Sequence, residues 1–183
     1  MNNDKNIYGE RQNCGENFCG RIVNGFYDIS PHHRLYITEK DGYITYIRLT
    51  PPKNAENFSN SPLIDRARHE IRAFLDGDLK KFSFPFMISG TPFQLEVYEK
   101  LLDIPYGETR SYADIAAELG GKGYSRAVGN ANNKNPLIFV VPCHRVICSN
   151  GSIGGYAFGT DMKKRLIETE RAHKYDRKAS DLG

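Results

Sequence analysis

Val140-Val141-Pro142-Cys143-His144-Arg145-Val146 ends an apolar run that starts at Leu137. It brings a cysteine, a histidine and an arginine into one small volume, with a proline stiffening the approach. Cysteine attacks as its thiolate, and a free thiol with a pKa of about 8.5 is only slightly ionised at neutral pH. A working cysteine therefore needs a base or a cation beside it, and here an imidazole and a guanidinium follow directly. Neighbours in sequence need not point the same way. Taken alone, Cys143 reads either as a positioned nucleophile or as a small buried side chain, and the rest of the chain has to decide.

The 183 residues are enough for one large domain or two small ones, and the net charge of +3 from 25 basic and 22 acidic residues is compatible with nucleic acid without requiring it. Cys14, Cys19, Cys143 and Cys148 form two separated pairs. The expected compartment is a reducing cytoplasm, with neither a signal peptide nor a membrane span. Residues 1–20 are polar, Asn-rich and aperiodic, and are expected to be a mobile leader. Cys14 and Cys19 with His32 and His33 match no standard zinc spacing, so no metal site is assigned and no cofactor is expected.

From Phe26 the sequence reads as strands. Tyr43, Thr45, Ile47 and Leu49 alternate with Ile44, Tyr46 and Arg48, the Asp41-Gly42 pair supplies a hairpin turn, and Leu35 to Ile37 is the expected partner strand. Ser61-Pro62 opens a helix with Ile64, Ala67, Ile71, Phe74 and Leu75 on one face and Gly77 at its end. Phe82, Phe84 and Phe86 then suggest a further strand or extended segment. No catalytic cluster stands out in this half, which reads as scaffold.

A second unit opens at Thr91, where Thr91-Pro92-Phe93-Gln94 is a capping box before the stripe Phe93, Val97, Tyr98, Leu101 and Leu102. Ser111-Tyr112-Ala113-Asp114 caps another helix running to Leu119, and after Gly120, Gly121 and Gly123 a third starts near Ser125. Two short helices joined by a glycine-rich turn have the outline of a helix-turn-helix, over about residues 111–133. In the third helix Ala127, Gly129 and Ala131 are small enough to allow close approach to another surface, and Arg126, Asn130, Asn132, Asn133 and Lys134 add donors. A loosely packed surface helix would look similar. Downstream, Tyr156 and Phe158 lie in a glycine-rich loop suited to a flat ring. Thr160 or Asp161 is expected to cap a last helix with Met162, Leu166 and Ile167 inward and Lys163, Lys164 and Arg165 as a basic patch.

Together, Ile104-Pro105-Tyr106-Gly107-Glu108-Thr109, Ser125-Arg126-Ala127-Val128-Gly129, Asn135-Pro136 and Pro142-Cys143-His144-Arg145-Val146 make the stretch from Thr91 to Glu170 resemble the O6-alkylguanine-DNA alkyltransferases. The resemblance implies an α+β protein: a ribonuclease-H-like α/β domain over 21–88, then a mainly helical domain over 89–175 with the helix-turn-helix, and a frayed tail at 176–183. It implies DNA repair in which Cys143 irreversibly accepts an alkyl group from O6-alkylguanine, once per molecule. His144 is then the base, Glu170 favours its charged form, Asn135 orients the network and Tyr112 assists the leaving base. Arg126, Ala127, Gly129, Asn130 and Ala131 contact double-stranded DNA through the minor groove, and Arg126 fills the stack vacated by the flipped nucleotide. Val146, Tyr156, Ala157, Phe158 and Lys163 form the substrate pocket, with Phe158, where small residues are common, expected to narrow it. Arg145 is assigned a structural role, Cys148 none, and the protein is expected to be monomeric. A non-catalytic lesion-binding protein, a helix-turn-helix regulator and a Cys/His hydrolase are the alternatives; Cys143 with Asn135, His144 and Glu170 argues against the first, and the helix-turn-helix outline against the last.

Overall fold

Asp41 and Gly42 both have positive φ, at 53° and 82°, the backbone of a two-residue hairpin turn whose twist matches its flanking strands. In this computed structural model, which describes residues 20–175 apart from 54, 56 and 57, the turn joins β2 (His33–Lys40) to β3 (Tyr43–Arg48). The expected leader with Cys14 and Cys19, and the expected tail at 176–183, lie outside the described residues. A strand not separated in the sequence reading, β1 (Ile22–Ser30), completes an antiparallel sheet in the order β1-β2-β3.

The simple alternation expected in β3 does not hold. Ile37 pairs with Ile47 and Thr38 with Tyr46, but Glu39 pairs with Ile44, so Thr45 is an extra residue bulged from the ladder. Ile44 and Ile47 are consequently both fully buried.

Across the sheet lies α1 (Pro62–Asp76), where Ser61 accepts the Ile64 N–H at 3.0 Å and Gly77 closes the helix at φ 87°. Ile64, Ala67, Ile71 and Phe74 are its buried face. Gly25 of β1 lets the helix come close: a Cβ there would stand 2.9 Å from Ile64 Cγ2.

The free edge of β3 accepts two later segments. Ile44 exchanges hydrogen bonds with Pro85 O and Met87 N, at 2.9 and 3.0 Å, so the segment of Phe82, Phe84 and Phe86 is extended, with isolated bridge pairing rather than a full strand. Pro85 has no N–H with which to extend it. Ile47 bonds Pro136 O at 2.7 Å and Ile138 N at 3.0 Å, so the run that leads to Cys143 docks on the same strand. One contiguous apolar cluster runs through both halves of the chain.

The second half is α2 (Pro92–Leu102), β4 (Arg110–Ser111), α3 (Tyr112–Glu118), α4 (Ser125–Asn133), β5 (Val146–Ile147) and α5 (Thr160–Ala172), with β4 parallel to β5. Both expected capping boxes are present, Thr91 with Gln94 and Ser111 with Asp114. The last helix departs from expectation twice. Its N-cap is Gly159 with no side-chain bond, and Thr160 is already helical. Lys163 is fully buried, so the basic patch reduces to the exposed Lys164 and Arg165. Among the described residues no helix is long and apolar enough to cross a membrane.

Candidate active site

Leu137 to Val141 is a tight loop rather than a strand, closed by Val141 N–H donating to Leu137 O at 2.9 Å. Phe139 turns it at φ 75°, a conformation costing an aromatic residue about 1–3 kcal/mol. Its ring is buried between Phe158 and Phe74, with centroids at 5.4 and 5.8 Å. Pro142 then leads into a single 3-10 turn, Cys143–Arg145. With about three residues per turn, successive side chains leave in three directions, which separates the roles of adjacent residues.

Cys143 faces a small cavity of about 20 Å³ whose lining includes Arg48, Tyr112, Asn132, Asn135 and Tyr156. The thiol is only 7% exposed. Asn135 holds it: the Nδ2 amide donates to Val141 O at 2.8 Å and to Cys143 Sγ at 3.3 Å, and Oδ1 accepts the Leu137 N–H at 2.9 Å. Burial pushes the Cys143 pKa up, and the Asn135 amide and the Lys163 charge offset part of this. The resting group is a thiol, which requires a base.

His144 points the other way, fully buried, with Nε2 2.8 Å from Glu170 Oε1. Glu170 also receives Arg145 Nε at 2.9 Å, Arg145 Nη2 at 3.0 Å and the Gly107 N–H at 3.0 Å. Burial pushes the Glu170 carboxyl up, but the His144 and Arg145 contacts outweigh it and hold it at about 2. It is therefore ionised and can only accept, so Nε2 carries the imidazole proton and Nδ1 keeps its lone pair. That buried Nδ1 has no partner among the described residues. Burial lowers the His144 pKa; Glu170 pulls it back up, toward the charged imidazole, but with the Arg145 and Lys163 charges also opposing it the pKa stays below its ordinary value. Arg145 already shares the carboxylate, and the resting imidazole is neutral, the form a base requires. Arg145 also donates to Ile104 O through Nη1 at 2.6 Å, which matches its structural assignment.

Of the residues expected in the pocket, Tyr156 and Ala157 line the cavity with Cys143, whereas Val146, Phe158 and Lys163 are not among its lining. Phe158 is buried against Phe139 and Tyr156, so its bulk lies in the packing rather than in the opening. Lys163 Nζ donates to Ile153 O at 2.6 Å and to Gly155 O at 3.4 Å, pinning the loop that bears Tyr156. Tyr112 lines the cavity, its phenol pKa raised by burial and lowered in part by the Asn132 amide.

On α4, Arg126 and Asn130 are exposed, and Ala127 and Gly129 are half-buried beside them. Ala131 is not on that face. It is buried, and its carbonyl accepts the Tyr98 hydroxyl at 3.2 Å; its small size serves the approach of α2.

Residues 92–172 match the family model described as 6-O-methylguanine DNA methyltransferase, DNA binding domain. A methylated-DNA–protein-cysteine methyltransferase of Methanosarcina acetivorans is 46% identical over 111 residues, 61% of this chain and 71% of its own length. The constitutive enzyme of that name from Bacillus subtilis is 40% identical over 152 residues, spanning 78% of this chain and 92% of its own. The chain belongs to the methylated-DNA–protein-cysteine methyltransferase family. A crystal structure of the Mycobacterium tuberculosis member OGT, in complex with DNA, superposes with a TM-score of 0.72 at 36% identity, covering 82% of this chain and 94% of that one.

Within this methyltransferase fold the cavity lining includes residues that the sequence reading does not place there, Arg48 and Asn132 among them. Arg48 ends β3, lies outside the matched segment and reaches Asn133 O at 2.9 Å. Asn132, by sequence one of the donors on α4, is buried in the cavity wall. The i+4 step from Val128, also buried, was the signal for Asn132; no local signal marks Arg48.

Proposed function

We propose that this chain repairs DNA by moving an alkyl group from the O6 atom of a damaged guanine onto Cys143, once per molecule. The observation that carries the reading is the tautomer imposed on His144: Glu170 holds the proton on Nε2, which leaves a buried, basic Nδ1 without a partner among the described residues, one residue along from a buried, protonated thiol. A water relays the Cys143 proton to Nδ1. The sulfur then attacks the alkyl carbon on the side opposite O6, the carbon–oxygen bond breaks, and its electron pair stays on the guanine. The Tyr112 hydroxyl donates a hydrogen bond to the base as charge develops there, and uptake of a proton leaves neutral guanine and a thioether. Thioethers are not readily reversed, so the protein is consumed.

A buried sulfur cannot meet O6 inside a duplex, so the nucleotide is extruded toward Cys143, at a cost of a few kcal/mol, and the cavity of about 20 Å³ widens to admit the base. Residues 111–133 act as a helix-turn-helix whose second helix lies in the minor groove, with Arg126 filling the vacated stack. The exposure of Arg126 and Asn130 beside the small Ala127 and Gly129 supports this. Residues 21–88 form a ribonuclease-H-like unit that carries the 89–175 unit on the edge of β3, supported by the three-stranded meander crossed by α1. The protein works as a cytoplasmic monomer; sedimentation with and without DNA and cell fractionation check these two statements. Competition by a minor-groove ligand, compared with a major-groove ligand, checks the docking.

The deciding experiment is intact mass after incubation with a duplex carrying one O6-methylguanine, followed by peptide mapping. One methyl group per protein, on Cys143, is the expected result. Lesion-selective binding without any mass gain would mean recognition without repair.

A further inference from the structure

Strand alternation sends Val23, Leu35 and Ile37 toward α1 and leaves Phe26, Arg34 and Tyr36 on the outer face of the sheet. Phe26 pairs with Tyr36 and Tyr36 with Arg48, so these three side chains form one row across the three strands. Phe58 joins from the free edge of β1, where the Ser59 N–H donates to Asn24 O at 2.8 Å. Its ring lies 6.2 Å from that of Phe26 and 5.7 Å from that of Tyr36. Of the six large apolar side chains that stand most exposed among the described residues, Ile22, Phe26, Tyr43 and Phe58 belong to this face. Such a concentration marks an interaction surface, which singly scattered exposed residues do not.

Arg34 lies over Phe26 with Cζ 4.1 Å from the ring centroid, and two hydrogen bonds to Asp28, at 2.6 and 2.9 Å, hold it there. A guanidinium so placed adds its own planar surface to those of the rings. Glu39 turns to the other face, where its carboxylate accepts the Ser61 hydroxyl. With Asp28 balanced by Arg34, Lys40 and Arg48 leave the outer face positive. The row also runs into the alkyl-transfer site: Arg48 lines the cavity of Cys143 and donates to Asn133 O, at the end of α4, at 2.9 Å. Rings interleaved with cations, beside a helix that meets DNA, suit unpaired bases and their phosphates. A duplex keeps its base faces inside its own stack, so only a single strand can use such a surface.

We propose that the outer face of the β1-β2-β3 sheet is a stacking platform for single-stranded DNA, which runs onto it from α4 past Arg48. This rests on the reading above in which α4 meets DNA. The rings of Phe26, Tyr36 and Phe58, with the Arg34 guanidinium, stack on unpaired bases, and Lys40 meets the backbone. The protein can then hold a strand that is parted from its complement next to the lesion.

The test measures, by fluorescence anisotropy, the affinity of the full-length protein for an unmodified single strand of about 16 nucleotides and for the same sequence as a duplex. Phe58→Ala and Phe26→Ala should each weaken single-strand binding by about 5- to 150-fold, the range for losing one base stack, and leave duplex binding within about twofold. Phe58→Trp should bind the single strand at least as tightly as the unaltered protein. If Phe26→Ala does not fold, the two Phe58 variants, outside the strand ladder, still decide. A strand carrying 5-iodouracil, irradiated on the protein and mapped by peptide mass, should crosslink to Phe26, Tyr36 or Phe58. Crosslinks confined to α4, or single-strand affinity unchanged in the alanine variants, would overturn the platform. So would a dimer in solution that Phe58→Ala dissolves, or single-strand binding that appears only once residues 1–19 are removed, since either gives the face another occupant. Methyl transfer from a lesion-bearing duplex without any single-strand binding would remove the platform alone. Binding of neither form of DNA would remove the reading of α4 with it.

Discussion

The ring of Phe74, from α1, meets His144 edge to face, with ring centroids 5.9 Å apart. A helix of the first half thereby packs directly on His144 of the second, and Phe139 also packs against Phe74, with centroids 5.8 Å apart. Phe74→Ala should lower the unfolding free energy by about 3–5 kcal/mol, as expected for removing a buried phenyl, read as a lowered urea midpoint. Phe74→Leu should recover most of that stability. If His144 is positioned through this ring, the leucine variant will still transfer more slowly at equal folded fraction; an unchanged rate would confine Phe74 to the core.

Cys143→Ser should abolish alkyl transfer and leave affinity for lesion-bearing duplex within a few-fold, because a hydroxyl in this buried position is not ionised. Gel-shift affinity and mass gain measured on one preparation separate the two effects. Loss of both would assign the cysteine to structure.

Glu170→Gln replaces an anion that four donor contacts converge on. The buried Arg145 then loses its counter-charge, a loss of about 3–5 kcal/mol, and the imidazole proton is no longer held on Nε2. Transfer should fall by about 100-fold or more, in line with removing general-base assistance. Full activity in this variant would show that Nδ1 does not take the thiol proton.

Stability should decline in two stages as the solution is acidified. His144 has its folded pKa below the ordinary 6.5, so its contribution is complete above that value and is lost progressively below it as the unfolded chain binds the proton first. Glu170, held at about 2 against an ordinary 4.5, contributes on the order of 3 kcal/mol that is present above 4.5 and lost as the pH falls toward 2. Urea midpoints from about pH 3 to pH 8 should show both slopes, with the lower one flattened in Glu170→Gln. A flat profile across this range would contradict the burial of the pair.

Arg126→Ala should slow transfer from a duplex far more than reaction with a free O6-alkylated guanine base, which needs no extrusion. Equal slowing of both would remove the stack-filling role and return Arg126 to general phosphate contact.

Local chemistry along the chain determined more of the elements than of their meeting places. Ser61, Thr91 and Ser111 announced their helices because an N-cap needs only its own next three residues, and Asp41-Gly42 announced its hairpin because positive φ is a property of the residue itself. The cysteine stretch was likewise readable from its own residues, whereas Asn135 was assigned only by the family resemblance, because its amide reaches Cys143 Sγ through the folding of the intervening loop. Only the tertiary structure decided the rest. Thr45 bulges because β3 must pair with β2 and also bury both Ile44 and Ile47, a condition set by the partner strand. Ala131 looked outward by its size, yet it faces inward because Tyr98 of α2 packs on that side. Lys163 reads as surface charge until the carbonyls of Ile153 and Gly155, from a loop, close over it. Asn132 and Arg48 reach one cavity from elements some eighty residues apart. Periodicity tells which face of an element turns inward, and the neighbour that fills that space is fixed by packing.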